Sequence, residues 1–412
     1  MPLFSIPLSG LSAASEALSV ISNNLANLNT DSYKDQNVSF QDLFYQQLGT
    51  SGSGDPMQTG NGVTTAAISS NFTDGGLDTT SVPTDMAITG NGFFVTQQNG
   101  VTQYTRDGNF TTNSSGQLVT QDGQLVMAYP VVGGVVSSTS AVGPLNVSQS
   151  VTNPPSATTS FALNTNLNAS ANAGDSSSTP LTVYDSLGNS HILTFQFTKT
   201  GSNGWNYSAT LPGADTGSPN PTVVTSGSLT FDGNGNLTSP TSNVTGISVT
   251  GLADGASAMT MTWSLFGSNG SSNLTQLATT SAPSTTSQNG FPAGALQSFT
   301  VDSSGVVEGV FSSGQSRQIG QVALASFAND QGLQRVGDNN YVATLASGEA
   351  SVGAPGSGGR GTITGGALEL SNVDVATEFA KMIVAQRSYE ANAKVVTTFD
   401  QVAQDTIALK QM

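Results

Sequence analysis

Apolar residues recur every seventh position at the two ends of this chain, and the pattern is absent from the three hundred-odd residues between. Near the N-terminus Phe4, Leu11, Leu18 and Leu25 form one row, and Ala14, Ile21 and Leu28 fill the alternating three- and four-residue steps. This is the spacing of a helical seam that seeks another helix. At the C-terminus Val375, Met382, Tyr389, Val396 and Ala403 make one heptad row, and Phe379, Ala393 and Ile407 lie on a partly filled second row four residues on. The pattern predicts helices over 4–30 and 372–410. The small residues Ala13, Ala14, Ala17 and Ala26 would let the first helix approach its partner closely. Ser371 is placed to cap the second, with Asp374 as the acidic half of a capping box and Leu370 with Val375 as the hydrophobic staple. Glu390 and Lys394 stand four apart on its exposed side. At 1.5 Å per residue that helix would be about 58 Å long, more than a globular core of this sequence could cover. Packing of both ends on a β domain as ordinary core helices is the simpler alternative.

Between the ends the period changes. Glycines at 92, 100, 108, 116 and 123 punctuate Phe93-Phe94-Val95, Val101 to Arg106, Phe110 to Asn113 and Leu118 to Gln121, with Asn-Gly, Asp-Gly and Ser-Gly at the turns. Such spacing predicts antiparallel hairpins in a meander. Residues 290 to 345 are similar in kind. From 146 to 285 the texture shifts to Thr, Ser and Asn, and Met259, Met261, Trp263 and Leu265 alternate with polar residues as in a half-buried strand. Gly- and Ser-rich stretches, 49–71 and 346–366, read as extended or flexible connectors. The segment Val38 to Leu48 fits helix or strand.

The expected organisation is therefore an inner part of residues 1–48 pairing with 367–412, connectors at 49–71 and 346–366, a discontinuous middle β domain of 72–145 plus 286–345, and an inserted outer β domain of 146–285. The fold class is mainly β and multidomain, with antiparallel meander or barrel-like domains and long terminal helices that form a coiled coil in an assembly.

Composition narrows the chemistry. The chain has 412 residues, 9% charged, 10 basic against 26 acidic, for a formal net charge of −16; ordinary globular proteins carry about 25% charged residues. Between Arg106 and Arg317 the basic residues are represented by Lys199 alone. A surface that tracks phosphate is excluded, and nucleic acid is not an expected partner. The acidic balance also disfavours anionic lipid. No cysteine is present, which removes disulfides, thiolate catalysis and thiolate metal ligands together. The first ten residues lack a basic region followed by a continuous apolar run, so secretion would use another route than a cleavable signal peptide. The longest apolar run, Leu125 to Val136, is broken by Pro130 and two glycines and is too short for a membrane span.

Candidate catalytic and ligand motifs all have blander readings. The lone His191 reads as a half-exposed strand histidine rather than a general base. Asp232, Asn234 and Asn236 have the first spacings of a calcium loop, but Leu237 and Asn243 stand where glycine and a bidentate glutamate are required, so a turn is expected. Gly356, Gly358 and Gly361 spell a dinucleotide fingerprint without its strand and helix. Paired carboxylates of the kind used in glycoside hydrolysis are not singled out by any motif. No enzyme activity, cofactor or metal is expected.

The residues that carry the argument also resemble a family. Asn23-Asn24-Leu-Ala-Asn27-Leu-Asn-Thr30-Asp-Ser-Tyr33-Lys34 is similar to the N-terminal signature of bacterial flagellar axial proteins, the rod and hook subunits. Ser32 stands where that signature has glycine. Gly90 to Val95 with Tyr104 to Phe110 resembles their shared β signature, and Ser371 to Asp374 with Met382 to Lys394 resembles their C-terminal helix. Val183 to His191 is similar to the outer domain of hook proteins, and with the chain length it points to hook rather than rod subunits. The resemblance implies a homopolymer forming a curved, flexible tube, a universal joint in the extracellular flagellum. It also implies rod, hook-cap and hook–filament junction proteins as neighbours and export through the flagellar type III apparatus. It implies terminal helices that are disordered in the monomer and pair on assembly, with Phe4, Leu11, Leu18, Ile21, Leu25, Leu28, Val375, Phe379, Met382, Tyr389, Ala393, Val396 and Ile407 as polymer contacts. A distal rod subunit and a secreted β-rich adhesin or carbohydrate-binding protein are the alternatives.

Overall fold

The computed structural model describes residues 4–267 and 270–410. The chain divides into two compact units, one of 1–148, 298–309 and 318–412, the other of 149–297 and 310–317.

The first unit holds both long helices. Helix α1 spans Ser5–Ala26 and helix α2 spans Val375–Lys410. Each is shorter than its apolar period suggests. Helix α1 stops before Asn27, whose side-chain amide turns back to Asn23 O at 2.9 Å, as residues that compete for backbone hydrogen bonds do at helix ends. Helix α2 starts at Val375, and Asp374 rather than Ser371 is the capping residue: its Oδ1 accepts from the N–H of Thr377 at 2.6 Å. Ser371 instead accepts from Val373 N at 3.4 Å in the preceding turn. The expected Glu390–Lys394 pair is replaced by Arg387 with Glu390 at 3.0 Å.

The β part of this unit is an antiparallel sheet buried on both faces, in which hairpins of neighbouring strands are joined by pairings between strands distant in the chain. Phe93–Gln98 and Val101–Thr105 form a hairpin closed by Asn99 and Gly100, both at positive φ, the type I′ geometry that suits the strand twist. Phe93–Gln98 also pairs with Leu125–Tyr129 and Leu324–Ser326. Phe94 enters a core with Met86, Phe110, Val126 and Val322, whereas Phe93 and Val95 enter another with Tyr104, Met127 and Tyr341. Two adjacent phenylalanines are thus both buried because the sheet is covered on either side.

The two stretches expected as connectors carry ordered ladders. Gln46–Thr50 pairs with Pro56–Thr59, and Gln36–Asp42 pairs with Val63–Ser70 across a bulge at Ser39 and Phe40. In the second stretch Ser351–Gly353 joins Leu324–Ser326, and Thr362–Gly365 joins Met86–Thr89. These strands leave one or both faces in solvent, so no apolar alternation marks them in the sequence.

The second unit is a sandwich. One sheet is an antiparallel meander of Ser176–Tyr184, Ser190–Lys199, Gly204–Leu211, Thr222–Phe231 and Leu237–Ser239. The other is built around Ser160–Asn168, which has two parallel neighbours, Met259–Trp263 and Leu274–Leu277, and an antiparallel one, Ala282–Gln288. Alternate residues of both sheets meet in one core around Trp205 and Trp263, with the Phe195 ring 4.8 Å and the Tyr207 ring 5.1 Å from Trp263. Against the expected 146–285, this unit starts at 149, runs to 297 and takes in 310–317. Asp232 and Asn236 form the expected turn, Asp232 Oδ1 accepting from the N–H groups of Asn234 and Asn236. His191 is not half-exposed; it is buried at 6% exposure on a strand whose side chains alternate in and out. No helix among the described residues is long and apolar enough to cross a membrane.

Candidate functional site

Helices α1 and α2 pack against each other antiparallel. Phe4 meets Phe399 edge-on at 6.0 Å, a β-carbon at Gly10 would stand 2.8 Å from Asn392 Oδ1, and Asn24 Nδ2 donates to Glu378 Oε2 at 3.1 Å. Of the predicted row on α1, Ile21 is buried with Ala14; Leu11, Leu18, Leu25 and Leu28 are half-buried, and Phe4 is exposed at its end. On α2 the first row turns partly toward α1, with Met382, Val396 and Ala403 half-buried, Tyr389 at the margin of exposure and Val375 exposed.

The second predicted row is placed differently. Phe379 and Ile407 are 51% and 60% exposed, and Ala393 is half-buried. The seam is completed instead by Glu378, Ala385, Asn392 and Phe399, three residues beyond the positions of the first row or four before them. Rows three and four residues away are both neighbours on a helix, and the row that makes contact contains Glu378 and Asn392, which an apolar count cannot see. Helix α1 also rests on the strand pair 36–42 and 63–70, where Ser9 Oγ accepts from Val63 N at 3.2 Å. A groove of about 990 Å³ opens between them, lined by Ile6, Gly10, Ala13, Ala17, Val384 and Asn392 among others.

At the exit of α1 the signature residues close a polar knot. Asn23 Nδ2 donates to Tyr33 Oη at 3.1 Å, and that hydroxyl donates to Asn24 Oδ1 at 3.3 Å. Asn24 is fully buried and satisfied: its oxygen accepts from Gln36 N at 2.9 Å, and its nitrogen donates to Gln36 O and to Glu378. Thr30 Oγ1 donates to Asn27 Oδ1 at 3.1 Å. Ser32 sits at φ 55 and donates its hydroxyl to Arg106 O at 2.9 Å. The turn therefore takes the left-handed conformation that glycine would favour and gains a hydrogen bond that glycine could not make.

Lys34 drives the knot inward. Its ammonium lies 2.6 Å from Glu369 Oε1, both side chains wholly buried, and donates also to Thr73 O at 2.8 Å. Glu369 Oε2 takes Arg106 Nε at 3.2 Å, and Arg106 continues to Asp74 at 2.8 Å. Burial, with Arg106 beside it, holds the Lys34 ammonium below its usual pKa against the pull of Glu369. Burial raises the Tyr33 hydroxyl although Arg335, whose guanidinium stands 5.5 Å over the ring, opposes it. Asn372 ties the start of α2 to the same place: its oxygen accepts from Asp35 N at 2.8 Å, and its nitrogen donates to Asn71 O at 2.9 Å.

Sequence reasoning singled out Asn23, Asn24, Asn27, Thr30, Tyr33 and Lys34 and missed Arg106, Glu369, Asn372 and Glu378 as their partners. The scarcity of charge was the available signal. In a chain with 9% charged residues, a Lys beside a helix exit, an Arg in a β motif and a Glu just before a helix start are candidates for one another. The arrangement has no nucleophile–base pair; its chemistry is to lock two chain ends together and hold them on a β platform.

Known proteins match along the whole length. The family described as flagella basal body rod protein matches residues 6–34, the flagellar hook protein FlgE/F/G D1 domain matches 87–166, the flagellar basal body protein FlaE D2 domain matches 153–291, and the flagellar basal body rod FlgEFG protein C-terminal family matches 364–409. The flagellar hook protein FlgE of Escherichia coli (strain K12) is 36% identical over 427 residues, covering 99% of this chain and 100% of the relative. That of Treponema pallidum (strain Nichols) is 34% identical over 456 residues, 98% of each chain. A crystal structure of the Helicobacter pylori hook protein FlgE2 superposes with a TM-score of 0.47 at 17% identity, covering 69% of this chain and 98% of that one. The chain belongs to the flagellar hook protein FlgE family.

Proposed function

We infer that this chain is a structural subunit of the flagellar hook and that the α1–α2 pair carries the contacts between subunits. The supporting observation is the outer face of α2. After pairing with α1 it still leaves Phe379 and Ile383, one turn apart, and further along Val402 and Ile407 between 51% and 60% exposed, apolar area that a monomer in water would not keep uncovered. Burying such side chains against neighbouring copies contributes about 1.5–3 kcal/mol each, so a few per subunit are enough to hold a polymer.

In this reading the knot at Lys34 and Glu369 fixes the helical pair to the β platform. The hook tube is curved and flexible, and it transmits torque while its neutral, polar outer surfaces exchange weak contacts. Rod, hook-cap and junction proteins adjoin it, and the subunit reaches its place through the flagellar export apparatus.

The test is Phe379→Glu combined with Ile383→Glu in the full chain. Both side chains are exposed, so far-UV circular dichroism and protease resistance of the subunit should match the parent while hook polymers disappear from isolated basal bodies under the electron microscope. Hooks of normal length and number in that strain would overturn the assignment of this face.

A further inference from the structure

His191 is the molecule's single histidine, and three carboxylates surround it in the sandwich unit. Its Nε2 lies 3.3 Å from Asp185 Oδ2 and 3.5 Å from Asp254 Oδ2, and the three atoms fall within 4.8 Å of one another. Two ligands each about 2.1 Å from a tetrahedral metal are about 3.4 Å apart, so these separations are those of a coordination edge. On the other side of the ring Nδ1 faces Asp215 Oδ2 at 3.0 Å, at an angle that closes no hydrogen bond, so a nitrogen buried with its ring remains unsatisfied. A small rotation of the ring would let Nδ1–H donate to this carboxylate, the contact that orients a metal-bound imidazole and selects the tautomer presenting Nε2 as a lone pair.

We propose that His191, Asp185 and Asp254 form a binding site for a divalent transition cation, best matched by Zn²⁺, with Asp215 as the positioning residue behind the imidazole. Asn189 completes it. Its side-chain amide lies 3.3 Å from Asp185 Oδ2 and 3.1 Å from Asp254 Oδ2, and turned over it offers an oxygen to the same space. One imidazole with two or three oxygens in a tight cluster suits zinc, whereas calcium takes six to eight oxygens.

The scaffold is already assembled. Asp185 Oδ1 is held by the N–H groups of Leu187 and Asn189 at 2.8 and 2.9 Å, and Asp254 Oδ1 by Ala256 N at 3.0 Å. The loops are joined through Ala253 N to Asp215 O at 2.8 Å and Ser257 N to Ser186 Oγ at 3.0 Å. Asp185 is fully buried while Asp215 and Asp254 are 24% and 27% exposed, which gives an ion a route in. A bound ion would pin the turn 185–189, the short helix Gly213–Thr216 and the loop around 254 to one another, a cross-link in a chain without disulfides, and its binding free energy would add to folding of this unit.

The competing occupant is a proton on His191. Burial works against it, and Asp215 and Asp185 more than restore it, so the imidazole is drawn above its usual pKa. Calorimetry separates the two: the untagged full chain, stripped with chelator and titrated at pH 7.5 with ZnCl2, and in parallel with CaCl2 and MgCl2. One zinc per chain should bind, confirmed by metal analysis after dialysis, with at least a hundredfold weaker affinity in His191→Gln and in Asp254→Asn and a ten- to hundredfold loss in Asp215→Asn. Zinc should also raise the unfolding midpoint read by Trp205 and Trp263 fluorescence in the parent and not in Asp254→Asn, whose unliganded midpoint shows that it folds. No zinc uptake, uptake unchanged in His191→Gln, or binding of calcium in preference to zinc would overturn the site.

Discussion

Glu369→Gln tests the polar knot with the least change of shape. The carboxylate neutralises Lys34 at 2.6 Å and Arg106 at 3.2 Å, and its side chain is wholly buried. Removing one partner of a buried pair costs about 3–5 kcal/mol. Here the cost has a ceiling. Arg106 keeps Asp74 at hydrogen-bond distance, but Lys34 keeps only neutral acceptors in contact, the Thr73 carbonyl and the new amide oxygen, and can escape by releasing its proton, which from the unfolded-chain pKa near 10.4 costs about 4 kcal/mol at pH 7.5. The expected destabilisation is therefore about 3–4 kcal/mol, a hundred- to thousandfold loss of protection in hydrogen–deuterium exchange over residues 86–98. Peptides spanning residues 190–199 lie in the other compact unit and should be unaffected. Because the lysine in the variant is neutral when folded and charged when unfolded, stability of the variant rises with pH, and the deficit should shrink by about 1.4 kcal/mol per unit above pH 7.5. Lys34→Met combined with Glu369→Gln should recover most of the loss. A single variant within tenfold of the parent, or a double variant no better protected than the single, would refute the account of Lys34 as a charge that depends on Glu369.

Two further substitutions probe the same unit. Ser32→Gly should change stability by no more than about 1 kcal/mol, since relief of left-handed strain of about 1–2 kcal/mol offsets the lost bond to Arg106 O; Ser32→Val, which keeps the strain and loses the bond, should cost about 2–3 kcal/mol in urea unfolding. Burial raises Asp107 to about 6 against the Asn109 N–H, with Asp31, Asp122 and Asp85 adding to the rise. The folded state then holds this proton more tightly than the unfolded chain, so its contribution is complete below about pH 4 and lost as pH rises through 6. Asp107→Asn should be about 1–3 kcal/mol more stable than the parent at pH 7.5 and equal to it near pH 4, and equal stability at both pH values would count against the buried position of this carboxylate.

Legibility in the sequence followed the physics of each element. The helices and the hairpin at Asn99-Gly100 were readable because their signals are local: a seven-residue apolar row, and two positions that need positive φ. The ladders over 46–70 were not, because strands with solvent on both faces impose no alternation, and Gly- and Ser-rich composition fits a hairpin as well as a linker. The cap moved from Ser371 to Asp374 because both residue types cap, and the choice fell to Asn372, which is occupied with Asp35, Asn71 and Thr73. The knot was half legible. The signature gave one side of it, while its partner carboxylate lies 335 residues further along the chain, a separation at which only the scarcity of charge offers a hint. His191 was misread because burial on a strand depends on the opposite sheet, which the sequence does not display.

The polar positions within the helical seam explain why an otherwise repetitive pattern has one register. Apolar heptads alone permit α2 to slide along α1 in steps of seven with little loss. The contacts Phe4–Phe399, Gly10–Asn392 and Asn24–Glu378 belong to one antiparallel register along the pair. A slip of seven would set Ala385 opposite Asn24 and leave a buried amide without its carboxylate, at about 1–3 kcal/mol for the unmatched group. It would also withdraw Asn392 from Gly10, where the absence of a side chain makes room for it. Buried polar residues that fix register at the expense of some stability are known from coiled coils. With the register fixed inside the subunit, the exposed row of Phe379, Ile383 and Ile407 is presented at defined heights along α2. A polymer that must repeat the same contact in every copy requires that constancy of its subunit.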